Sequence, residues 1–298
     1  MSLNLGKPLL RAAAQRAAVT GWRALVLLAC FGLALPVGAA ASTVDAFTAS
    51  WRIAKRHPDD PAGAALAVAR AFEGKPYRAA TLDDNPGERM LIDRFDAFDC
   101  WTLVEVATAV ALSAAPTEQP NIDGFRDRLR ALRYRHGRMQ GYGSRLHYFS
   151  EWLRQGEAAG LFTDITQQLP GVVVDARPIR YMSLHPDRYP ELADPNQLAA
   201  VHAAEVALSQ TPRHFIPKQR VAAIEDQLID GDIIALTSTK PGLDIAHQGF
   251  ALRHAGRTWL VHASSEFGRV MVSKVPLSDY LKRNRSHGGI VVARWRNS

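Results

Sequence analysis

The chain has 298 residues, of which 47% are hydrophobic and 22% charged, a composition typical of a globular protein that excludes a disordered or fibrous chain. Its formal net charge is +7, but four of the basic residues lie in the first 41 positions, where no acidic residue occurs. Without those four the charge is +3, too small to indicate a nucleic-acid partner.

The first 41 residues have the order of a secretory signal peptide. Basic residues between positions 7 and 23 precede an apolar run at 24–35, and Pro36 and small residues follow. The run is shorter than the roughly 20 residues of a membrane span. We therefore predict a cleaved signal peptide at 1–41, a periplasmic or secreted mature protein and no stable membrane anchor. A retained N-terminal anchor is the alternative.

The chain contains two cysteines. Cys30 lies in a sequence that loosely resembles a lipoprotein processing site, but the apolar run continues past it, so we interpret it as part of the discarded leader. Cys100 is then alone in the mature chain and cannot form an intramolecular disulfide. On this observation alone, Cys100 is either an inert buried residue or a reactive thiol.

Helical patterns occupy the first half of the mature chain. Residues 43–74 are rich in alanine, and Asp60 before Pro61 is a typical helix start. Residues 100–115 are strongly apolar and follow Asp99, a good N-cap. Two further helices are predicted at 121–134 and 145–155.

Strand patterns dominate the second half. Residues 160–220 hold a short strand at 172–174 and an alanine-rich helix near 198–208, and we interpret this region as an elaboration on a simpler core. From residue 230, short apolar runs separated by turn signals predict an antiparallel meander. Because helices come first and strands later, the predicted class is α+β. The runs lie at 233–236, 249–252, 258–261 and 270–272, followed by a helix at 277–282 and a last strand at 289–293.

Cys100 sits at the start of a predicted helix, where free N–H groups and the helix dipole favour a thiolate and lower the thiol pKa. The amide of Cys100 is also placed to stabilise an oxyanion.

His247 and His262 lie 15 residues apart on adjacent predicted strands, which can bring both to one side of the sheet. We predict that His247 is the general base and acid, and that His262 orients its ring. His254 lies nearer the turn and is expected to be solvated.

Four segments resemble the motifs of NlpC-type cysteine peptidases. Residues 98–105 resemble the nucleophile motif, and 231–234 the Gly-Asp strand that precedes the base. Residues 247–250 are similar to the base motif, and 262–264 match the third polar position. The resemblance implies a papain-like core in which the nucleophile-bearing helix packs on a C-terminal antiparallel sheet, with a helical and loop insertion.

Further segments resemble one branch, the N-acetylmuramoyl-L-alanine amidase-like family, over residues 64–294. This resemblance implies a single cysteine amidase domain at 42–298, with 160–220 as a family-specific elaboration. It implies hydrolysis of the amide between N-acetylmuramic acid and L-alanine of peptidoglycan or its fragments, through an acyl-enzyme on Cys100 and without a cofactor or metal. The segments that carry it are 74–77, Thr102 with Glu105, 133–135, 142–148, 244–247 and 288–290.

The resemblance also implies substrate-binding residues: Tyr77, Asp99 and Arg145. Asp99 is alternatively only a helix cap, Arg145 a surface salt-bridge partner and Tyr77 a packing residue. Glu105 lies about 140° round the helix from Cys100, so we interpret it as a structural hydrogen-bond partner.

Three other functions remain open at the level of sequence. The first is a stem-peptide endopeptidase of the same superfamily that cuts after D-glutamate. The second is a zinc amidase, although no His-Glu-x-x-His motif occurs. The third is a non-enzymatic wall-binding protein on the same fold.

Overall fold

Local capping signals determine where the helices of the first half begin. A computed structural model describes residues 42–296; the predicted signal peptide, including Cys30, lies outside the described residues. The side chains of Ser42, Asp60, Asp99 and Asn121 each accept a hydrogen bond from a backbone N–H in the first turn of the helix that follows. These helices are α1 (Thr43–Ala54), α2 (Pro61–Ala71), α3 (Cys100–Ala114) and α4 (Ile122–Arg133).

Helix α5 (Phe149–Ala158) begins four residues later than the sequence predicts. Arg145 is extended and forms an isolated bridge with Tyr134. The cap of α5 comes from a distant residue, because Asp244 accepts hydrogen bonds from the backbone and the side chain of Ser150, both at 2.9 Å. No local pattern shows a cap that lies 94 positions along the chain.

The strands of the protein form one antiparallel sheet. They are β1 (Phe162–Asp164), β2 (Val173–Asp175), β3 (Arg213–Pro217), β4 (Ile233–Ser238), β5 (Ile245–His254), β6 (Arg257–Ser264), β7 (Arg269–Val272) and β8 (His287–Trp295). Their order in the sheet is β2-β3-β8-β4-β5-β6-β7, with β1 also paired to β8. Two further helices are α6 (Pro195–Ser209) and α7 (Leu277–Arg283). The predicted α+β class is confirmed.

Helix α3 lies at the centre of the larger hydrophobic core. Leu103 and Val104 of this helix are fully buried in a cluster that also holds Ile233 and Phe250 of the sheet. Helices α1, α2 and α4 cover the other side of α3, which explains why 12 of its 15 residues are buried. The opposite face of the sheet packs against α7. The start of α3 is therefore held rigidly beside β5.

The region 160–220 extends the sheet and adds a third hydrophobic cluster. The predicted strand at 172–174 is β2, shifted by one residue, and the predicted helix at 198–208 is α6. Strands β1 and β3 are short and were not predicted, because they are stabilised by pairing with strands distant in the chain: β1 pairs with β8, and β3 pairs with β2 and β8. Tyr142 and Tyr148 pack against this region in the third cluster.

Among the helices of residues 42–296, none combines the length and apolar character needed to cross a bilayer.

Candidate active site

Cys100 is the first residue of α3, as predicted, and its thiol is free. Asp99 caps the helix through a hydrogen bond from the Thr102 amide at 2.8 Å, and the Thr102 hydroxyl accepts from the Asp99 amide at 3.1 Å. The second carboxylate oxygen of Asp99 accepts from the Thr81 hydroxyl at 2.8 Å. Both oxygens of Asp99 are therefore engaged within the protein.

The surroundings of the thiol oppose the effect of the helix start. Burial, and next the negative charge of Asp99, raise the pKa of Cys100 to about 12, although the residue as a whole is partly exposed. The backbone N–H groups of Gln248, Cys100 and Trp101 act in the opposite direction and lower it. The expectation of a lowered thiol pKa is therefore wrong, because desolvation outweighs the hydrogen bonds. The same contacts place the thiol beside Gln248, the residue that follows His247.

His247 and His262 meet across strands β5 and β6, as predicted. The Nε2 atom of His247 lies 2.7 Å from the Nδ1 atom of His262. A glycine makes this approach possible: a Cβ atom at Gly249 would lie 3.0 Å from the His262 Cβ and 2.4 Å from the Val261 carbonyl oxygen. His254, in contrast, is exposed at the end of β5.

The hydrogen bond between the two histidines permits two proton arrangements with different chemistry. If His247 Nε2 carries the proton and donates it, the other nitrogen, Nδ1, keeps a lone pair that can accept a proton. If His262 Nδ1 donates instead, His247 carries its proton on Nδ1 and cannot act as a base there. A base at His247 therefore requires the first arrangement.

Both histidines are held neutral by their surroundings. Burial, and then the proximity of His262 and His287, lower the pKa of His247 well below 6.5. Burial and His287 lower the pKa of His262 to about 4. At neutral pH the site therefore holds a protonated thiol and neutral imidazoles rather than a thiolate–imidazolium pair.

Two residues of this region were not predicted from the sequence. His287, at the start of β8, is buried and lies with its ring centroid 6.3 Å from that of His247. The Tyr280 ring on α7 contacts His262 at 5.5 Å and His287 at 6.1 Å. His287 directly precedes the Gly288–Gly289 pair already noted in the sequence, which is the one local signal that could have indicated it.

Arg145 is buried and paired with carboxylates. Its guanidinium lies 3.0 Å from Glu88 and 3.1 Å from Asp83, and it stacks over the Tyr142 ring at 4.6 Å. The Arg145 guanidinium is thus engaged by side chains of this chain, and its contact with substrate stays a prediction. Its partners Asp83 and Glu88 line a cavity of 250 Å³ together with residues 188–191 of the insertion.

Tyr77 is half-buried next to the thiol. Burial, and then the charges of Cys100 and Asp99, raise its pKa, so its hydroxyl lies within electrostatic reach of both groups. Tyr77 and Asp99 both retain an exposed fraction at the site, whereas Arg145 is buried.

Glu105 has the structural contacts expected of it. It accepts hydrogen bonds from Arg133 at 2.7 Å and from the Trp101 indole at 2.9 Å, and the pair with Arg133 is almost completely buried. This pair joins α3 to α4.

Among residues 42–296, no group of three or more histidine, cysteine, aspartate or glutamate side chains has a geometry that could hold a metal ion. A thiol at a helix start, a histidine pair beside it and an amide at the thiol residue together provide the groups required for acyl transfer. The fold and site thus define a candidate hydrolase.

The chain belongs to the N-acetylmuramoyl-L-alanine amidase-like (AmiA-like) family, whose model matches residues 67–290. No curated protein matches the sequence.

Solved structures are similar over most of the chain. An N-acetylmuramoyl-L-alanine amidase from Bacteroides uniformis is 38% identical, with a TM-score of 0.71, over 78% of this chain and 98% of that one. A Bacteroides fragilis protein with a proposed xylanase assignment is also 38% identical, with a TM-score of 0.69, over 76% and 98% of the two chains. A Legionella pneumophila protein of the DUF1460 family is 21% identical, with a TM-score of 0.60, over 83% and 94%, and this similarity concerns the fold alone.

Proposed function

We propose that the protein is a cysteine amidase that cleaves the amide between N-acetylmuramic acid and L-alanine of peptidoglycan or its fragments. The observation that carries the proposal is the 2.7 Å hydrogen bond between His247 and His262, formed beside the start of the helix that bears Cys100. Membership of the amidase-like family supports the choice of substrate. We further propose a papain-like, NlpC-type core in a single domain, exported to the periplasm or beyond.

In the proposed mechanism, His247 Nδ1 accepts the thiol proton as the Cys100 sulfur attacks the carbonyl carbon of the lactyl group. Since both groups are neutral beforehand, proton transfer accompanies attack. The amide of Cys100 donates to the oxyanion. His247 then protonates the departing L-alanine nitrogen, and the thioester forms. Water, deprotonated by His247, hydrolyses the thioester and regenerates the thiol.

His262 and Tyr77 have supporting roles in this proposal. The ring of His262 accepts a hydrogen bond from His247 Nε2, which leaves the Nδ1 lone pair of His247 free to accept the thiol proton. Tyr77 contacts the bound substrate near the thiol. Asp99, which caps α3 and is partly exposed, and Arg145, which pairs with Glu88, are the other two proposed substrate contacts.

Digestion of defined muropeptides, followed by mass spectrometry, tests the proposal. We expect wild-type protein to release stem peptides that begin with L-alanine, and Cys100→Ala and Cys100→Ser to release at least about a thousandfold less. An L-Ala-D-Glu product would instead identify an endopeptidase. Full activity of Cys100→Ala would exclude cysteine catalysis. Inhibition by a chelator but not by a thiol alkylator would identify a metal enzyme.

A glycosidase activity, as proposed for the Bacteroides fragilis relative, fits the site less well. Glycosidases typically use two carboxyl groups on either side of the scissile bond. Around Cys100, the carboxylate of Asp99 is engaged by Thr81 and Thr102 on its two oxygens. The groups assembled beside the thiol are imidazoles.

A further inference from the structure

The two histidines form part of a closed ring of four aromatic side chains. His247 contacts His262 with ring centroids 4.9 Å apart, and His262 contacts Tyr280 at 5.5 Å. The ring centroids of Tyr280 and His287 lie 6.1 Å apart, and those of His287 and His247 lie 6.3 Å apart with an angle of 14° between the ring planes. Each ring therefore touches two others, so that His287 and Tyr280 limit how the first two can rotate.

His287 is almost completely buried beside the histidine pair. The residue is 4% exposed, and its Nδ1 atom is buried without a hydrogen-bond partner among residues 42–296. The Nδ1 atom thus contributes no hydrogen bond to its surroundings, which leaves the packing of the ring as the contact with His247. His287 begins β8, where it pairs with Ser238 of β4, so its position does not depend on a mobile loop.

We propose that His287, backed by Tyr280, is a positioning residue that packs against His247 and keeps the His247–His262 pair dry and correctly oriented. The kinetic consequences of this inference rest on the proposed function. The packing of His287 against His247 and its effect on the pKa values do not depend on the substrate. His287 acts through His247 and does not itself contact the reacting atoms.

Desolvation determines the direction in which the pKa values of His247 and His262 change when the His287 ring is removed. A ring of protein side chains around His247 excludes water and disfavours its charged form. Removal of the His287 ring admits water, so the pKa values of His247 and His262 rise toward that of a solvated histidine. Replacement by phenylalanine keeps the packing and removes only the nitrogen atoms.

The titratable or charged groups that face His287 and its neighbours are His247 on β5, His262 on β6, Tyr280 on α7, Cys100 on α3, Lys218 after β3 and Glu266 after β6.

The test compares His287→Ala, His287→Phe and the exposed control His254→Ala. NMR titration of the imidazole rings in substrate-free protein is the first readout. We expect the midpoints of His247 and His262 to rise by about one pH unit in His287→Ala, to rise less in His287→Phe, which keeps the packing but removes a neighbouring titratable group, and to stay unchanged in His254→Ala. Thermal unfolding establishes that each variant is folded.

Kinetics on a muropeptide are the second readout. In His287→Ala we expect kcat to fall on the order of tenfold at nearly constant KM, with the acid limb of the pH profile moved to higher pH. His287→Phe should remain within about threefold of wild type. Unchanged midpoints and kinetics in His287→Ala would overturn the proposal. So would a His287→Phe variant as impaired as His287→Ala, because the nitrogen atoms would then be required. If wild type lacks amidase activity while the midpoints still shift, the proposed function fails and the positioning role stands.

Discussion

At Cys100, the helix start and the surrounding protein act on the thiol in opposite directions. Three backbone N–H groups favour the thiolate, whereas burial and the charge of Asp99 disfavour it more strongly. The proposed nucleophile is therefore stored in its protonated form, and it depends on His247 to remove the proton when substrate is present. A protonated thiol of this kind is also oxidised less readily than a thiolate.

The protonation state of Cys100 predicts its reactivity toward iodoacetamide. We expect the alkylation rate to rise with pH throughout the range from 6 to 10, because the thiol pKa of about 12 leaves little thiolate at neutral pH. Asp99→Asn should react faster at every pH, since asparagine still caps the helix but removes the charge that raises the thiol pKa. A rate plateau between pH 6 and 8 in wild-type protein would instead indicate a thiolate–imidazolium pair.

At the scale of elements, the site depends on how closely β5 and β6 approach each other. Gly249 lies where a side chain would collide with the Val261 carbonyl and the His262 Cβ. The glycine thereby allows the His262 ring to reach His247. Glycine is needed at position 249 because of the limited space between the two strands, and not because of its backbone dihedral angles.

We expect Gly249→Ala to separate β5 from β6 and to pull His262 away from His247. Overpacking of this kind typically costs about 1–3 kcal/mol, and the activity should fall at least about tenfold. Gly256→Ala is the matched control: its φ of +75° strains the backbone, but no atom lies within 4 Å of the added Cβ. Muropeptide hydrolysis and urea unfolding check both. Similar activity losses in both variants at equal stability would contradict this account.

Helix starts were predictable where the cap is local. Asp60 and Asp99 precede their helices directly, and both bind backbone N–H groups as predicted. The start of α5 was misplaced because its cap, Asp244, is supplied by another part of the chain. The same reason applies to β1 and β3, whose pairing partner β8 is close only in the folded protein.

At the scale of the whole molecule, buried histidines make stability depend on pH. His262 and His287 have pKa values of about 4, lowered first by burial. A group with a lowered folded-state pKa contributes its full stability above its unfolded value of about 6.5 and loses it as pH falls toward the folded value. Glu105 and Asp244, whose pKa burial raises, act in the opposite sense.

We expect the free energy of unfolding to decrease on the order of 3 kcal/mol between pH 6.5 and 4. Denaturant unfolding at several pH values measures this change. His287→Phe should lose less stability over the same range, because one of the titrating groups is absent. If the unfolding free energy of His287→Phe fell as steeply with pH as that of the wild type, His287 would not be buried in neutral form.

The sequence alone determined the α+β class, the start of α3 at Cys100 and the pairing of His247 with His262. Each of these features follows from a local sequence pattern: a capping residue, a hydrophobic periodicity or two strands joined by a short turn. The tertiary structure decided the state of the thiol, the engagement of Asp99 and Arg145, and the proximity of His287 and Tyr280 to the histidine pair. Those features depend on burial and on contacts between residues distant in the chain, which no local pattern encodes.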